Sequence, residues 1–363
     1  MEMDQTFAQL ERREDVLWID VRSEGEYEES HIPGAVSIPL FDNEERAEIG
    51  TLYKQVGPER ARERGLEIAS QKLPELVRRI RGQAGDRIPA IYCWRGGMRS
   101  QSVATVLGLM AIPAVRLTGG YRAYRAHVTG QLASMRADKL PPLLVIHGMT
   151  GVGKSLLLQL LKRRGEPVLD LEDFAGHRGS VFGGIGLKTA NQREFDGRLY
   201  EALRRLQDAP YLIIEAESKR IGHVNMPDFL YEAKLRGDNL LLFASLKTRV
   251  ERTLLQYQLK DEAAFVGAVE RAVARIERRF SPEFRARVND ALLARDWHSL
   301  IVALLTDYYD PRYEHAMKSY ERPFHEVNGE DLEKAADEIV THAHSAYAVT
   351  DAGQREWIGG RIN

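Results

Sequence analysis

The stretch Leu143-Leu144-Val145-Ile146-His147-Gly148-Met149-Thr150-Gly151-Val152-Gly153-Lys154-Ser155 decides how the second half of this chain folds. Its first five residues form a nearly continuous apolar run, as expected of a strand buried on both faces of a parallel sheet. Residues 148–155 fit G-x-x-x-x-G-K-S/T, and the following KSLLLQLLKRRG has helical spacing of its leucines. In a strand–loop–helix of this kind, backbone N–H groups wrap a diphosphate. Lys154 then reaches a terminal phosphate, and Ser155 is placed to hold Mg2+. The phosphate-binding candidates are therefore Gly148, Thr150, Gly151, Val152, Gly153, Lys154 and Ser155. The loop reads a diphosphate; whether ATP, GTP or another diphosphate carries it stays open.

Further apolar runs follow at Pro167–Leu171, Tyr211–Ala216 and Asn239–Leu246, with helical patterns at Lys154–Arg164 and Thr248–Leu259. Asp170 and Glu172 end one of these strands, and Glu215 and Glu217 end another. Carboxylates at the C-terminal ends of parallel strands face the ligand crevice. There they could bind a magnesium-held water, or simply cap helices on the surface. Between them lies the glycine-rich segment 176–186, which carries His177 and Arg178. It could be a mobile lid, an RNA backbone contact or a plain flexible loop. His177, Arg178, Arg193, Lys219 and Arg220 are the RNA-binding candidates. Arg198, Arg204 and Arg205 could extend the same phosphate-attracting face, or all of them could be solvated surface.

Upstream, Val16–Val21, Ala35–Leu40, Ala90–Cys93 and Val115–Thr118 read as strands, and Arg99–Met110 as a helix. Alternation of strands and helices predicts a mostly parallel sheet. The charged segment Asn43–Leu73 reads as a solvated, helical insertion. Cys93, the one cysteine of the chain, opens the run Cys93-Trp94-Arg95-Gly96-Gly97-Met98-Arg99-Ser100 between strand and helix. Such a loop turns several N–H groups and a helix N-terminus inward. Gly96 and Gly97 allow the tight curl, and Arg95 and Arg99 add positive charge. That setting favours the thiolate, a nucleophile for sulfur or selenium transfer. A buried structural cysteine is the alternative.

Together with Asp20-Val21-Arg22, His31-Ile32-Pro33-Gly34-Ala35 and Gly119-Gly120-Tyr121, this loop resembles a rhodanese domain over residues 10–133. Asp20 and Arg22 are expected to brace that fold, and His31 to pack. The whole chain is similar to the bacterial tRNA 2-selenouridine synthases, also described as tRNA geranyl- and selenotransferases. Residues 40–46 and 50–54, Asp170-Leu171-Glu172, His177-Arg178-Gly179-Ser180 and Phe182-Gly183 carry this likeness beyond the two loops. The expected fold class is α/β, with a rhodanese-like domain at 10–135 and a P-loop NTPase-like parallel-sheet domain at 143–300. A helical C-terminal extension is expected at 301–363, with Asp331–Tyr347 as its last ordered helix.

The resemblance implies a tRNA partner whose wobble 2-thiouridine is first S-alkylated by geranyl diphosphate. The S-geranyl group is then replaced by selenium from selenophosphate. It also implies that Cys93 carries selenium as a selenyl-sulfide and that Lys154 neutralises the leaving diphosphate. No tightly bound cofactor is expected, and whether Mg2+ is needed stays open. Three rival readings stand beside it: a kinase-like ATP- or GTP-dependent enzyme, a thiosulfate sulfurtransferase, and an RNA-binding redox switch. A flipped base would need an aromatic platform, for which Trp94 or Tyr308-Tyr309 are candidates.

Composition sets the outer limits. A chain of 363 residues, 44% apolar and 29% charged, is long enough for two globular domains. A net charge of −2 gives no bulk attraction for nucleic acid, so an RNA face must come from local clusters among the 51 Lys and Arg residues. No secretory signal is evident at the start, and no apolar run approaches the roughly 18 residues that span a bilayer. These features predict a cytoplasmic protein without a membrane segment. A single cysteine excludes an internal disulfide and a multi-cysteine zinc site. Oligomeric state is not readable.

Overall fold

A computed structural model of the protein describes residues 3–257, 262–318, 320 and 322–347. The chain forms two compact units that part between Ser134 and Met135.

The first unit is a five-stranded, wholly parallel sheet. Its strands are β1 (Asp4–Gln5), β2 (Val16–Asp20), β3 (Val36–Ser37), β4 (Ile88–Tyr92) and β5 (Val115–Leu117), in the order β1-β5-β4-β2-β3. Helices α1 (Phe7–Leu10), α2 (Glu24–Glu29), α3 (Asn43–Gln55), α4 (Pro58–Ala84), α5 (Met98–Leu109) and α6 (Gly120–Ser134) accompany it. The strand expected at Ala35–Leu40 shrinks to two residues, because only Val36 and Ser37 pair with Ile19 and Asp20. The charged segment is also more than a solvated insertion. In α4, Ile68 and Ala69 inside that segment, and Leu76, Val77 and Ile80 just beyond it, bury at helical spacing against Leu17, Ile19 and Ile91 of the sheet and Val103 and Leu107 of α5. Removing Ile80 to Ala would cost about 2–5 kcal/mol.

The second unit begins after a short 3-10 turn at Ala137–Lys139. Its chain runs through β6 (Leu143–His147), α7 (Lys154–Arg163), β7 (Val168–Leu169), α8 (Leu171–Ala175), α9 (Gln192–Arg205) and β8 (Leu212–Glu215). A small hairpin, β9 (Arg220–Ile221) and β10 (Val224–Asn225), leads to α10 (Asp228–Leu235) and β11 (Asp238–Phe243). Helices α11 (Leu246–Gln256), α12 (Glu262–Ile276), α13 (Pro282–Leu293), α14 (Trp297–Leu304) and α15 (Asp310–Met317) follow, then β12 (Phe324–Asn328) and α16 (Leu332–Ala346). The last two residues of the helix expected at Thr248–Leu259 lie outside the described residues.

The second sheet is parallel in the order β12-β11-β6-β8-β7, so the strand that opens the unit lies at its centre. This corrects the expected C-terminal boundary. The described residues from 301 to 347 are not a separate helical extension, because Phe324–Asn328 pairs with Asn239–Phe243 as an edge strand; the rest of the expected extension lies outside the described residues. The buried residues Ala335, Ala336, Ile339 and Ala343 of α16 join the core formed by Leu157, Leu158 and Leu161 of α7. Phe324–Asn328 has only two apolar residues, Phe324 and Val327, without strict alternation, and so gave too weak a strand signal within a charged stretch.

Helices α11 to α14 and the segment Leu305–Tyr309 build a second core of their own around Val269, Val273, Phe280, Phe284, Val288 and Leu304. Phe182 and Ile185 of the glycine-rich segment belong to it. Between α14 and α15, Leu305–Tyr309 is wound as a π-helix, a local widening that recurs at functional sites.

Candidate active site

Cys93 follows the central strand β4 and stands five residues before Met98, the first residue of α5, whose first turn carries the buried Ser100. Its side chain is buried with only 3% exposure, and its Sγ lies 3.2 Å from Ser100 Oγ and 3.9 Å from the Gly97 carbonyl oxygen. The loop is clamped by the Gly119-Gly120-Tyr121 turn. Tyr121 N–H donates to the Cys93 carbonyl at 2.8 Å, and Arg122 N–H to that of Trp94 at 3.0 Å. Gly120 has φ +59°, and a Cβ there would sit 2.2 Å from the Cys93 carbonyl oxygen. Glycine is thus required on both conformational and steric grounds.

Around the loop, Arg99 binds Glu26 through two hydrogen bonds of 2.6 and 3.2 Å, so its charge is largely spoken for. Arg95, Gly97 and Met98 are exposed, Gly96 and Trp94 half-buried, and the Trp94 ring lies 5.8 Å from that of Tyr121. Arg116, which the sequence did not mark, donates to the Gly96 carbonyl at 3.1 Å and shapes the loop from beneath. Asp20 and Arg22 form a buried, multiply hydrogen-bonded pair, and Arg22 also donates to the Ser30 carbonyl at 2.6 Å. His31 stacks on Tyr27 at 3.9 Å. These three residues brace the fold.

The phosphate loop follows the central strand of the second sheet, at the point where strand order reverses and open α/β sheets bind ligands. Gly151 has φ +80°, and a Cβ there would meet the Arg249 carbonyl oxygen at 2.6 Å, so the loop lies directly on α11. Arg249 fixes it further. Its Nε donates to the Thr150 carbonyl at 2.9 Å while its guanidinium pairs with Asp310 at 2.6 and 3.0 Å. Lys154 Nζ donates to the Gly148 carbonyl at 2.5 Å and stands 5.2 Å from the centre of the Tyr313 ring. Burial alone would lower the lysine pKa, but Tyr313, Glu217 and Glu172 outweigh it and raise it, so the ammonium stays charged.

Two of the four expected carboxylates, Glu172 and Glu215, form a hydrogen-bonded chain with Ser155. Ser155 Oγ donates to Glu172 Oε2 at 2.6 Å, and the Glu172 N–H donates to Glu215 Oε1 at 2.6 Å. Asp170 instead caps α8 by accepting from Asp173 N–H at 3.0 Å, although it remains close enough to act on the other two. Burial first, then Glu217 and Asp170, push Glu172 up to about 8 against the opposing pull of Lys154 and Ser155. Burial followed by Asp170 and Glu172 pushes the Glu215 carboxyl well above the usual carboxylate range. Its Oε2 is buried without a hydrogen-bond partner. Glu217 lies against Gly179, whose Cβ would fall 2.5 Å from Glu217 Oε2.

The loop opens into a cavity of about 330 Å3 lined by Thr150–Leu156, Glu172, Arg178, Ser180, Arg252, Tyr257 and Tyr313, among others. Arg252 donates to the Val152 carbonyl at 2.6 Å and to the Glu330 carbonyl at 3.1 Å, and burial lowers its pKa. Arg178 donates to the Ile185 carbonyl at 2.9 Å and lies 5.0 Å from the Tyr257 ring centre. Next to this cavity is a second one of about 280 Å3, lined mainly by apolar side chains including Phe182, Ile185, Phe265, Val269, Trp297 and Leu304. Thr150, Ser180, Thr253 and Tyr257 line both.

The expected RNA set therefore divides. Arg178 lines the phosphate cavity and does not form an outer face. His177 is half-buried, with its Nδ1 buried and unpaired and its ring pressed on Gly222 and Gly183. Arg193, Lys219 and Arg220 are exposed, Lys219 being paired with Asp228 at 2.5 Å. Tyr308 and Tyr309 are buried in the helical core. Among the described residues, no helix is long and apolar enough to cross a membrane, and no group of three or more His, Cys, Asp or Glu could hold a metal by itself. Sequence reasoning missed Arg249, Arg252, Tyr257, Tyr313 and the apolar cavity. These residues lie on helices far along the chain from the loop they serve, where nothing local sets them apart.

Residues 141–345 match the family model described as tRNA 2-selenouridine synthase AAA domain, and residues 4–127 match the rhodanese-like domain. A tRNA 2-selenouridine synthase of Bordetella petrii is 33% identical over 331 residues, covering 82% of this chain and 86% of its own. The Azotobacter vinelandii protein of that name is 31% identical, covering 84% and 89%, and the Nitrosomonas europaea one is 33% identical, covering 71% and 68%. With both domain models in place and relatives matched along most of their length, the chain belongs to the tRNA 2-selenouridine synthase family.

Proposed function

We propose that the protein converts wobble 2-thiouridine of tRNA to 2-selenouridine in two steps, with geranyl diphosphate bound at the phosphate loop and selenophosphate used at the Cys93 loop. The observation that carries the first step is the adjacency of the phosphate cavity and the apolar cavity, which share Thr150, Ser180, Thr253 and Tyr257 in their walls. A nucleotide needs polar partners for its base and sugar. A diphosphate with an isoprenoid tail needs a charged cradle joined to an apolar chamber, and burying the tail contributes about 0.8 kcal/mol per methylene-sized group.

In the first step the C1–O bond of geranyl diphosphate breaks and a C1–S bond to the thiouridine sulfur forms. The nucleobase loses its N3 proton, and diphosphate departs. Lys154, the loop N–H groups, Arg178 and Arg252 stabilise the charge that builds on the leaving oxygens. A Mg2+ ion held by Ser155 and Glu172 together with the diphosphate would add further neutralisation. The residues fit that role, since the Ser155 hydroxyl and the Glu172 carboxyl already meet at 2.6 Å beside the cradle, and a bound cation would displace the proton that burial keeps on Glu172.

Alkylation makes the sulfur a thiol leaving group. In the second step selenium of selenophosphate attacks C2 of the nucleobase, geranyl thiol leaves with a proton, and water cleaves the P–Se bond to release phosphate. Selenium in selenophosphate is already at the selenide level, so this displacement needs no oxidant. Storing it on Cys93 through an S–Se bond would need one. The bond count therefore favours a Cys93 thiol that helps seat the donor over a selenyl-sulfide carrier.

The test is mass analysis of nucleosides from 2-thiouridine tRNA incubated with enzyme, geranyl diphosphate and selenophosphate, each omitted in turn. S-Geranyl-2-thiouridine should accumulate without selenophosphate, and 2-selenouridine should form only with both. Selenouridine formation without geranyl diphosphate would reject the two-step reading.

A further inference from the structure

The junction between the two cavities is lined by aromatic hydroxyls that diphosphate binding does not use. Tyr257 lines both cavities, Tyr309 lines the apolar one, and Tyr313 lines the phosphate one. The Tyr309 hydroxyl is buried and meets no partner within hydrogen-bonding distance, with Ser180 the polar group beside it. Leaving a buried hydroxyl unsatisfied is costly, so its presence in a mainly apolar chamber calls for a reason. It is presented from the π-helical Leu305–Tyr309 segment, itself a departure from regular helix. Two of the three rings already draw cations of the protein: the Arg178 guanidinium lies 5.0 Å from the Tyr257 centre and the Lys154 ammonium 5.2 Å from that of Tyr313.

An allylic diphosphate bound with its phosphates on the loop and its tail in the apolar chamber has its C1–C3 unit at this junction. As the C1–O bond lengthens, positive charge spreads over C1 and C3. We propose that Tyr257 and Tyr309 form an aromatic collar that stabilises this allylic cation, making them catalytic residues for the alkylation step. The inference rests on the geranyl diphosphate reading above. The balance of the step is unchanged: the collar forms no bond and takes no proton. The electron-rich ring faces and the unpaired Tyr309 oxygen stabilise the charge until the thiouridine sulfur captures C1. A desolvated cation–π contact of this kind corresponds to about thirtyfold in rate.

The experiment compares Tyr257→Phe, Tyr257→Leu, Tyr309→Phe and Tyr309→Leu in S-geranylation of 2-thiouridine tRNA, measuring kcat and KM for geranyl diphosphate. The Leu variants should lose about thirtyfold in kcat, with KM changed less than kcat. Tyr257→Phe, which keeps the ring, should recover most of the rate, and Tyr309→Phe should fall between. Because fluorine at C2 withdraws density from the allylic cation, 2-fluorogeranyl diphosphate should slow the Leu variants more than it slows the parent. Equal kcat in Leu and parent enzymes, equal loss in Leu and Phe variants, or a loss confined to KM would overturn the collar. Thermal unfolding of each variant identifies one that fails to fold, and the matched Phe variant then decides. Failure of the parent enzyme to transfer geranyl at all would instead reject the underlying substrate reading.

Discussion

The Cys93 loop and the phosphate loop each follow the third of five strands in a parallel sheet, and each runs into the N-terminus of a helix. Both are held by glycines at positive φ that press on neighbouring backbone. From that common plan they diverge. Around Cys93 the thiol is buried beside Ser100, and the loop's outer residues face solvent. The phosphate loop instead looks into two adjoining chambers, one charged and one apolar. A loop at the centre of a parallel sheet supplies inward N–H groups in either case. What surrounds it decides whether it presents a single sulfur or encloses a whole substrate.

The largest effects should separate the two loops. Lys154→Ala removes the cation facing the leaving diphosphate and should lower S-geranylation at least about a hundredfold. Cys93→Ala should leave S-geranylation near its original rate and strongly reduce 2-selenouridine, so that the S-geranyl nucleoside accumulates. Nucleoside mass analysis reads both, and a Cys93→Ala variant that blocked geranylation would break the division of labour.

A second contrast tests the glycine clamp. Gly120→Ala places a Cβ 2.2 Å from the Cys93 carbonyl oxygen at a strained φ. It should destabilise the first unit by about 3 kcal/mol. Gly130→Ala in the same helix meets nothing within 4 Å and should stabilise by up to about 1 kcal/mol. Thermal or denaturant unfolding measures both.

A smaller effect should distinguish the chambers. Leu304→Trp fills the apolar cavity, and should raise KM for geranyl diphosphate about tenfold while leaving inorganic diphosphate binding unchanged. Equal weakening of both ligands would mean that the chambers do not divide the substrate as proposed.

The smallest effect is a pH dependence. Glu172 is pushed up to about 8 in the fold, against an ordinary glutamate near 4.5. Between those values the unfolded chain has released the proton that the native state keeps, so the native state loses relative stability as pH rises. Glu172→Gln carries no such proton. Its stability relative to the parent should therefore rise from about pH 4.5 to about pH 8 and then level off. An unchanged difference across that window would contradict the buried, proton-retaining carboxyl.

Both sheets and both loops were legible in the sequence because each rests on local signals: continuous apolar runs, glycines at fixed offsets, and a nucleophile or lysine at a strand–helix turn. The edge strand at Phe324–Asn328 was not, because three of its five residues are polar and its pairing with Asn239–Phe243 is long-range. The same limit applied to the site. Arg252 and Tyr313 reach the phosphate cavity only through tertiary packing, and Arg178 was read as an RNA contact because its loop showed charge but not direction. The apolar chamber, gathered from α11, α12, α14 and the glycine-rich loop, had no local sequence signature at all.

The central claim is that the phosphate loop serves an isoprenoid diphosphate. Calorimetric titration of the full-length protein with geranyl diphosphate, inorganic diphosphate and ATP, each with and without Mg2+, tests it most directly. The account predicts that geranyl diphosphate binds at least about a hundredfold more tightly than inorganic diphosphate, with a negative heat-capacity change from apolar burial, and that Leu304→Trp removes much of that advantage. ATP binding as tight as or tighter than that of geranyl diphosphate, accompanied by hydrolysis independent of tRNA, would contradict it.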